Sequence, residues 1–269
     1  MKNGSLALGA TLIGTVVLLA VVSLFWTPFD PTAISGDLAA SPGWPHVLGT
    51  DGFGSDVASR LMIGARMCLL VGIVSVTGAA IVGVPVGIFA GMTSGWVSEI
   101  PARLSDILYG FPALLLAILF AAAFGGSTWT AMLAIGVSTV PAFVRMARAG
   151  TLQVMSQTYV EAARVSGISY VQIAWRHVLP NIAPLMGVQA SVSFGIAILA
   201  EAGLSYLGLG SGQDTPTWGR MLRDAQDYIF SDPLLALWPG LAIAVATLGF
   251  NVLGDGLRDH LDPKQRELT

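Results

Sequence analysis

Tyr159-Val160-Glu161-Ala162-Ala163-Arg164-Val165-Ser166-Gly167 and its continuation to Leu179-Pro180-Asn181 form the longest charge-bearing run in an otherwise apolar chain. From residue 153 to Gly167 the run has helix-forming residues and no proline. Gly167 is placed to end that helix, because glycine adopts the left-handed conformation cheaply at a helix C-terminus. A second short helical run covers 170–178. Leu179-Pro180 is then expected to stop it, since proline lacks an N–H and disfavours helix in the residue before it. The pattern is helix, turn, helix and stop, lying outside the bilayer between two apolar segments. An ordinary loop and a docking element both fit this spacing.

Composition says why those flanks are read as membrane spans. The 269 residues are 54% hydrophobic and 11% charged, with mean hydropathy +0.72. A soluble domain carries about a quarter charged residues, so this composition is that of an integral membrane protein. The net charge of −3 gives no reason to expect nucleic acid as a partner. Cys68 is the only cysteine, so no intrachain disulfide can form and a thiolate metal cluster is not expected. His46, His177 and His260 are far apart in sequence, and no metalloprotease, P-loop or nucleophile-elbow pattern accompanies them. With no catalytic constellation and no nucleotide-binding loop, any ATP hydrolysis is expected on another chain.

Six apolar runs are legible, at about 6–26, 67–92, 107–124, 129–144, 182–199 and 234–253. The first would be roughly 30 Å long as a helix, enough to cross a bilayer core. It is read as a retained span and not a signal peptide, because Trp26-Thr27-Pro28-Phe29-Asp30-Pro31 is a poor cleavage site. The expected fold is therefore an all-α integral membrane protein, one domain over 1–269, with six transmembrane helices and a cytoplasmic loop at 153–181.

Within the spans, Gly83, Gly87 and Gly91 recur every four residues and form a small-residue stripe for close helix approach, inside the subunit or toward another chain. Gln189 and Ser193 place polar groups in the fifth span. Glu201 sits just beyond it. A carboxylate near membrane depth is a candidate for function, and a structural helix-end role is the preferred alternative.

Lysine and arginine bias sets the orientation. With the N-terminus inside, the inner segments hold nine: Lys2, Arg103, Arg145, Arg148, Arg164, Arg176, Arg258, Lys264 and Arg266. The outer segments hold four: Arg60, Arg66, Arg220 and Arg223. Both termini and the 153–181 loop are thus expected in the cytoplasm.

Several motifs carry a family resemblance. Glu161-Ala162-Ala163, Gly167 and Leu179-Pro180 match the EAA loop of ABC-importer permeases, E-A-A-x3-G-x9-I-x-L-P, with His177 in place of isoleucine. Arg176-His177-Val178-Leu179-Pro180-Asn181 resembles the dipeptide/oligopeptide/nickel branch of that family. So does Leu48-Gly49-Thr50-Asp51-Gly52-Phe53-Gly54-Ser55-Asp56-Val57-Ala58-Ser59-Arg60-Leu61, where Ser55 stands for the usual arginine. Arg103–Leu108 with Phe111-Pro112, Ser205–Gly210, Thr215–Gly219 and Asn251–Pro263 extend the likeness, so that it runs from about residue 48 to residue 263.

The resemblance implies a permease subunit of an ATP-driven importer in the bacterial plasma (inner) membrane, without catalytic or metal residues of its own. It implies that Tyr159, Glu161, Ala162, Ala163, Arg164, Gly167, His177, Leu179 and Pro180 belong to the helix that couples to the ATPase. The implied partners are a second, homologous permease forming a heterodimer, two ATP-binding subunits or domains holding ATP and magnesium, and an extracytoplasmic substrate-binding protein. Peptides are the favoured substrate and nickel, free or chelated, the alternative. A membrane-embedded enzyme would need convergent intramembrane acids or histidines, which are not visible. A structural or receptor protein would bind no ATPase.

Overall fold

The computed structural model describes residues 2–31, 33–34, 36–210 and 215–261. Asp262 and Pro263 of the C-terminal motif, with Lys264 and Arg266, lie outside them. The helices are α1 (Lys2–Val22), α2 (Val57–Met92), α3 (Trp96–Tyr109), α4 (Ala113–Phe124), α5 (Thr128–Met155), α6 (Thr158–Val165), α7 (Tyr170–Ile173), α8 (Leu179–Tyr206), α9 (Trp218–Ala225) and α10 (Leu234–Leu261). A π-helical turn covers Ala174–Val178 and a 3-10 turn Gln226–Tyr228, and the other described residues are turns and loops with one isolated β-bridge between Thr50 and Asp56. Five helical stretches are long and apolar enough to cross a membrane, and α3 with α4 forms a bent pair that, counted as one span, would be a sixth.

The helices outrun the apolar stretches that announced them. α2 starts at Val57, ten residues before the expected 67, because the Asp56 carboxylate caps it through the Ser59 N–H at 2.8 Å. α5 continues eleven residues past Val144, through Arg145 and Arg148. Hydropathy marks where charges begin, and a helix carries charges past that point when they find partners. Arg145 finds Asp106 and Arg148 finds Ser98.

The third apolar run is not one helix. α3 already includes residues 96–106, which precede that run, and it meets α4 at an angle of 86°. Pro112 causes the break. It disfavours helical geometry in the residue before it and has no N–H to continue the ladder.

The bundle is centred on α2 and α5. A Cβ on Gly83, Gly87 or Gly91 would stand 2.6 Å from the Cβ of Phe143, Ala147 or Thr151 respectively. Two four-residue stripes, one glycine and one mostly small, let these backbones touch. Ser75 adds a hydrogen bond to the Met132 carbonyl at 2.9 Å. α8 packs on α10 with Phe194 stacked on Phe250, ring centres 4.0 Å apart. α1 lies against α10, where a Cβ on Gly9 would be 2.6 Å from the Leu253 nitrogen.

Candidate functional site: a docking loop and a membrane cavity

The 157–181 loop is built from local signals. Gln157 is extended and starts α6, which Gly167 ends at φ +80°. The Gly167 N–H donates to the Arg164 carbonyl at 3.0 Å and the Ile168 N–H to the Ala163 carbonyl at 3.1 Å. This paired closure needs a left-handed residue, which glycine adopts without strain. Ser169 and Gln172 then cap each other's backbone N–H at the start of α7.

The expected stop at Leu179-Pro180 does not occur. Residues 174–178 form a π-helical turn, and the Leu179 N–H reaches back to the Ala174 carbonyl. Tyr170–Tyr206 is therefore one continuous helical path. Widening the turn to i→i+5 makes room for the Pro180 ring, which enters α8 in its first turn where its missing N–H costs little.

The loop divides cleanly into two faces. Val160, Ile173 and Val178 are buried in the same core as α5 and α8, and Ala163 is buried at 8% exposure. Ala163 therefore faces inward while its neighbours Glu161 and Ala162 are exposed, so the two alanines do not act as one small docking surface. The Tyr159 and His177 rings stand 5.8 Å apart, and the Asn181 amide donates to the His177 carbonyl at 2.6 Å and to the Tyr159 hydroxyl at 3.3 Å. Histidine at the isoleucine position thus joins a clasp that ties α6 to the start of α8. Arg164 donates to the Tyr170 hydroxyl at 3.0 Å. On the outer face, Val165 is 87% exposed, Val171 68% and Trp175 67%. Sequence reading missed these three. Their signal was apolar side chains inside the most polar stretch of the chain.

A cavity of about 680 Å³ opens among α3, α4, α5 and α8. Gln189 and Ser193 line it, joined by a 3.0 Å hydrogen bond, together with Tyr109, Pro112, Thr139 and Arg145. Glu201 does not. It is buried, accepts from the Ser205 hydroxyl at 2.6 Å, and lies where Gly219 of α9 sits on the Ala202 backbone. Its surroundings are those of a structural partner.

At the other end, residues 36–56 fold over the start of α2 and onto α9. Thr50 is fully buried, donating to the Asp37 carbonyl at 2.5 Å and accepting from the Ala40 N–H. Asp56 also pairs with His46 at 2.9 Å. Arg60 bridges Asp51 and, at 3.3 Å, Asp224, which Arg220 approaches at 3.8 Å. Burial holds the Asp224 carboxyl above the usual carboxylate range, against the pull of Arg60 and Arg220. Among the described residues no group of three or more His, Cys, Asp or Glu side chains could hold a metal ion.

Comparison with known proteins agrees with this architecture. The chain is 40% identical over 268 residues to the dipeptide transport system permease protein DppC of Alkalihalophilus pseudofirmus, covering 98% of this chain and 88% of that protein. It is 38% identical to the glutathione transport system permease protein GsiD of Pectobacterium atrosepticum, covering 95% and 87%. Among solved structures it resembles a chain of the MetNI methionine ABC transporter in an inward-facing conformation. That match has a TM-score of 0.64, 18% identity, and coverage of 76% of this chain and 97% of that one. Residues 83–267 match the family model described as binding-protein-dependent transport system inner membrane component. The chain belongs to this family of multi-pass inner-membrane proteins, the permease subunits of ABC importers.

Proposed function

We propose that this chain is one of two related permeases of an importer for short peptides. The observation that carries the substrate class is the pair of relatives at 38–40% identity over nearly the whole chain, named as permeases for dipeptides and for glutathione. These relatives do not favour the nickel alternative. In this reading both termini and the 157–181 loop face the cytoplasm, and 27–60 and 215–228 face outward, following the arginine and lysine bias.

The loop's outward face, with Val165, Val171 and Trp175 exposed beside Glu161 and Arg164, is the surface that an ATPase subunit covers. ATP and its magnesium ion belong to that partner. Closure of the ATPase pair moves α6 and α7. The continuous path from α7 through the π turn into α8 carries that motion to the cavity beside Gln189 and Ser193. A homologous permease would supply the facing half of the pathway, and an external binding protein would deliver the substrate.

The test is import of radiolabelled dipeptide, longer peptide, glutathione and nickel in cells with and without this chain. Dependence of dipeptide or glutathione uptake on the chain is expected. Uptake of nickel alone would overturn the substrate class. For orientation, single cysteines at Ser41 and Gln157 in a Cys68→Ala background are compared in intact cells. An impermeant thiol reagent should label position 41 and spare position 157, and the reverse pattern would invert the topology.

A further inference from the structure

Arg145 stands out on the cavity wall. Among the described residues that line the 680 Å³ space, it is the one side chain carrying a permanent charge, and none of them is a carboxylate. The volume falls within the roughly 300–1,000 Å³ of small-molecule sites. The guanidinium is held in place from one side, since it lies 4.2 Å above the Tyr109 ring. Its counter-ion comes from just outside the lining. Nε and Nη2 both donate to a single oxygen of Asp106, Oδ1, at 3.0 and 2.7 Å.

This is half of what arginine offers a carboxylate. The guanidinium fork is matched by two oxygens taken in parallel, the stronger arrangement. The Asp106 pair does not use it. Both side chains are also about half exposed, 48% for Arg145 and 58% for Asp106, so the pair is solvated and readily exchanged. A short peptide carries its own terminal carboxylate, free to meet the fork with both oxygens. Asp106 and Tyr109 lie on α3 just before the 86° bend, whereas Arg145 lies on α5. Exchange of partners would therefore also remove one tie between α3 and α5 and leave the Arg148–Ser98 bond.

We propose that Arg145 is the docking point for the terminal carboxylate of the transported peptide, which displaces Asp106 from the guanidinium. The proposal rests on the importer reading above and adds to it a specificity-determining residue on this chain, separate from the external binding protein.

The test uses the complete transporter in proteoliposomes, with ATP and binding protein saturated with a panel of radiolabelled dipeptides. Import is expressed per assembled complex, measured by co-purification. Arg145→Gln should lower the import rate at least tenfold. Asp106→Asn, which removes the internal competitor and keeps the guanidinium, should retain half the wild-type rate or more. The charge-swapped pair Asp106→Arg with Arg145→Asp restores a tie between α3 and α5 but puts an acid where the peptide's carboxylate would dock. It should import as poorly as Arg145→Gln. Should Arg145→Gln fail to assemble, Arg145→Lys replaces it, with an expected loss of severalfold because the charge stays and the fork is gone. Wild-type import by the swapped pair, or by Arg145→Gln or Arg145→Lys, would overturn the proposal and leave a merely structural tie. A wild-type complex that imports none of the dipeptides would instead remove the peptide-importer reading itself.

Discussion

The two polar regions of this chain are built in opposite ways. In the region formed by residues 50–60 and 217–224, charge points inward. Arg60, 8% exposed, joins Asp51 to Asp224, and Asp56 is buried against His46 and the start of α2. In the 157–181 loop the inside is apolar, with Val160, Ile173 and Val178 fully buried, while Glu161 and Arg164 face out beside Val165, Val171 and Trp175. A region whose task is to hold the end of a bundle closed can hide its charges, because each has a partner on the same chain. A region that presents a surface leaves apolar side chains without one.

The comparison breaks first at Arg60. Arg60→Leu leaves Asp51 and Asp224 facing each other without their shared cation. Removing one member of a buried ionic group costs about 3–5 kcal/mol. Thermal or denaturant unfolding of the purified subunit in detergent should show a loss of this size. A loss below about 1 kcal/mol, as for an exposed pair, would mean that the network is solvated and the contrast is false.

Ala163→Trp probes the other region from within. Because Ala163 is already buried within the subunit, the variant tests internal packing and not docking. Overpacking of this kind costs about 1–3 kcal/mol. Amide hydrogen exchange should speed up across 157–181 and stay unchanged in α2. Unaltered protection in the loop would place Ala163 on the outer face after all.

The effect of pH is smaller. Burial raises the folded-state affinity of Asp224 for its proton above that of the unfolded chain, with Arg60 and Arg220 opposing it more weakly. Its contribution to stability is therefore fully present below the ordinary aspartate value of 3.8 and is lost as pH rises through its folded value. Asp224→Asn should flatten stability against pH from about 4 upward, and Arg60→Leu should steepen it by removing the first opposing charge. An Asp224→Asn profile parallel to the wild type would show that this carboxyl is not buried in solution.

The smallest change in stability is expected where the largest change in assembly is. Trp175→Ser touches an exposed side chain and should alter unfolding by no more than about 0.5 kcal/mol. Co-purification of the ATPase with the complex should nonetheless fall severalfold. Full retention would move the docking surface away from the outer face of the loop and leave the contrast between the regions without a functional meaning.

The exposed face of the loop also shows why parts of the site were hidden in the sequence. Gly167 and Pro180 were visible because each has a local rule, a left-handed cap and a missing N–H, and Glu161 was visible through its motif. The rule for Gly167 was sufficient, since φ +80° there is a local demand. The rule for Pro180 pointed to a stop and was overridden by a π turn, whose i→i+5 bond depends on how α8 is held by the bundle. Similarly, Pro112 broke the third apolar run within a stretch that hydropathy reads as continuous.

Composition alone determined that the chain lives in a membrane, because apolar runs of bilayer length with so few charges have no aqueous fold available to them. Local chemistry determined where α6 ends and that α2, near 83–91, must meet another backbone closely. Which backbone it meets was decided only in three dimensions, where the glycine stripe seats on Phe143, Ala147 and Thr151 of α5. The same holds for Ala162 and Ala163, identical neighbours on opposite faces, and for Glu201, a carboxylate that Ser205 and α9 enclose away from the cavity. Periodicity along a chain states that a side chain needs a neighbour. Only packing states who the neighbour is, because contacts between helices distant in sequence leave no mark on the spacing within either one.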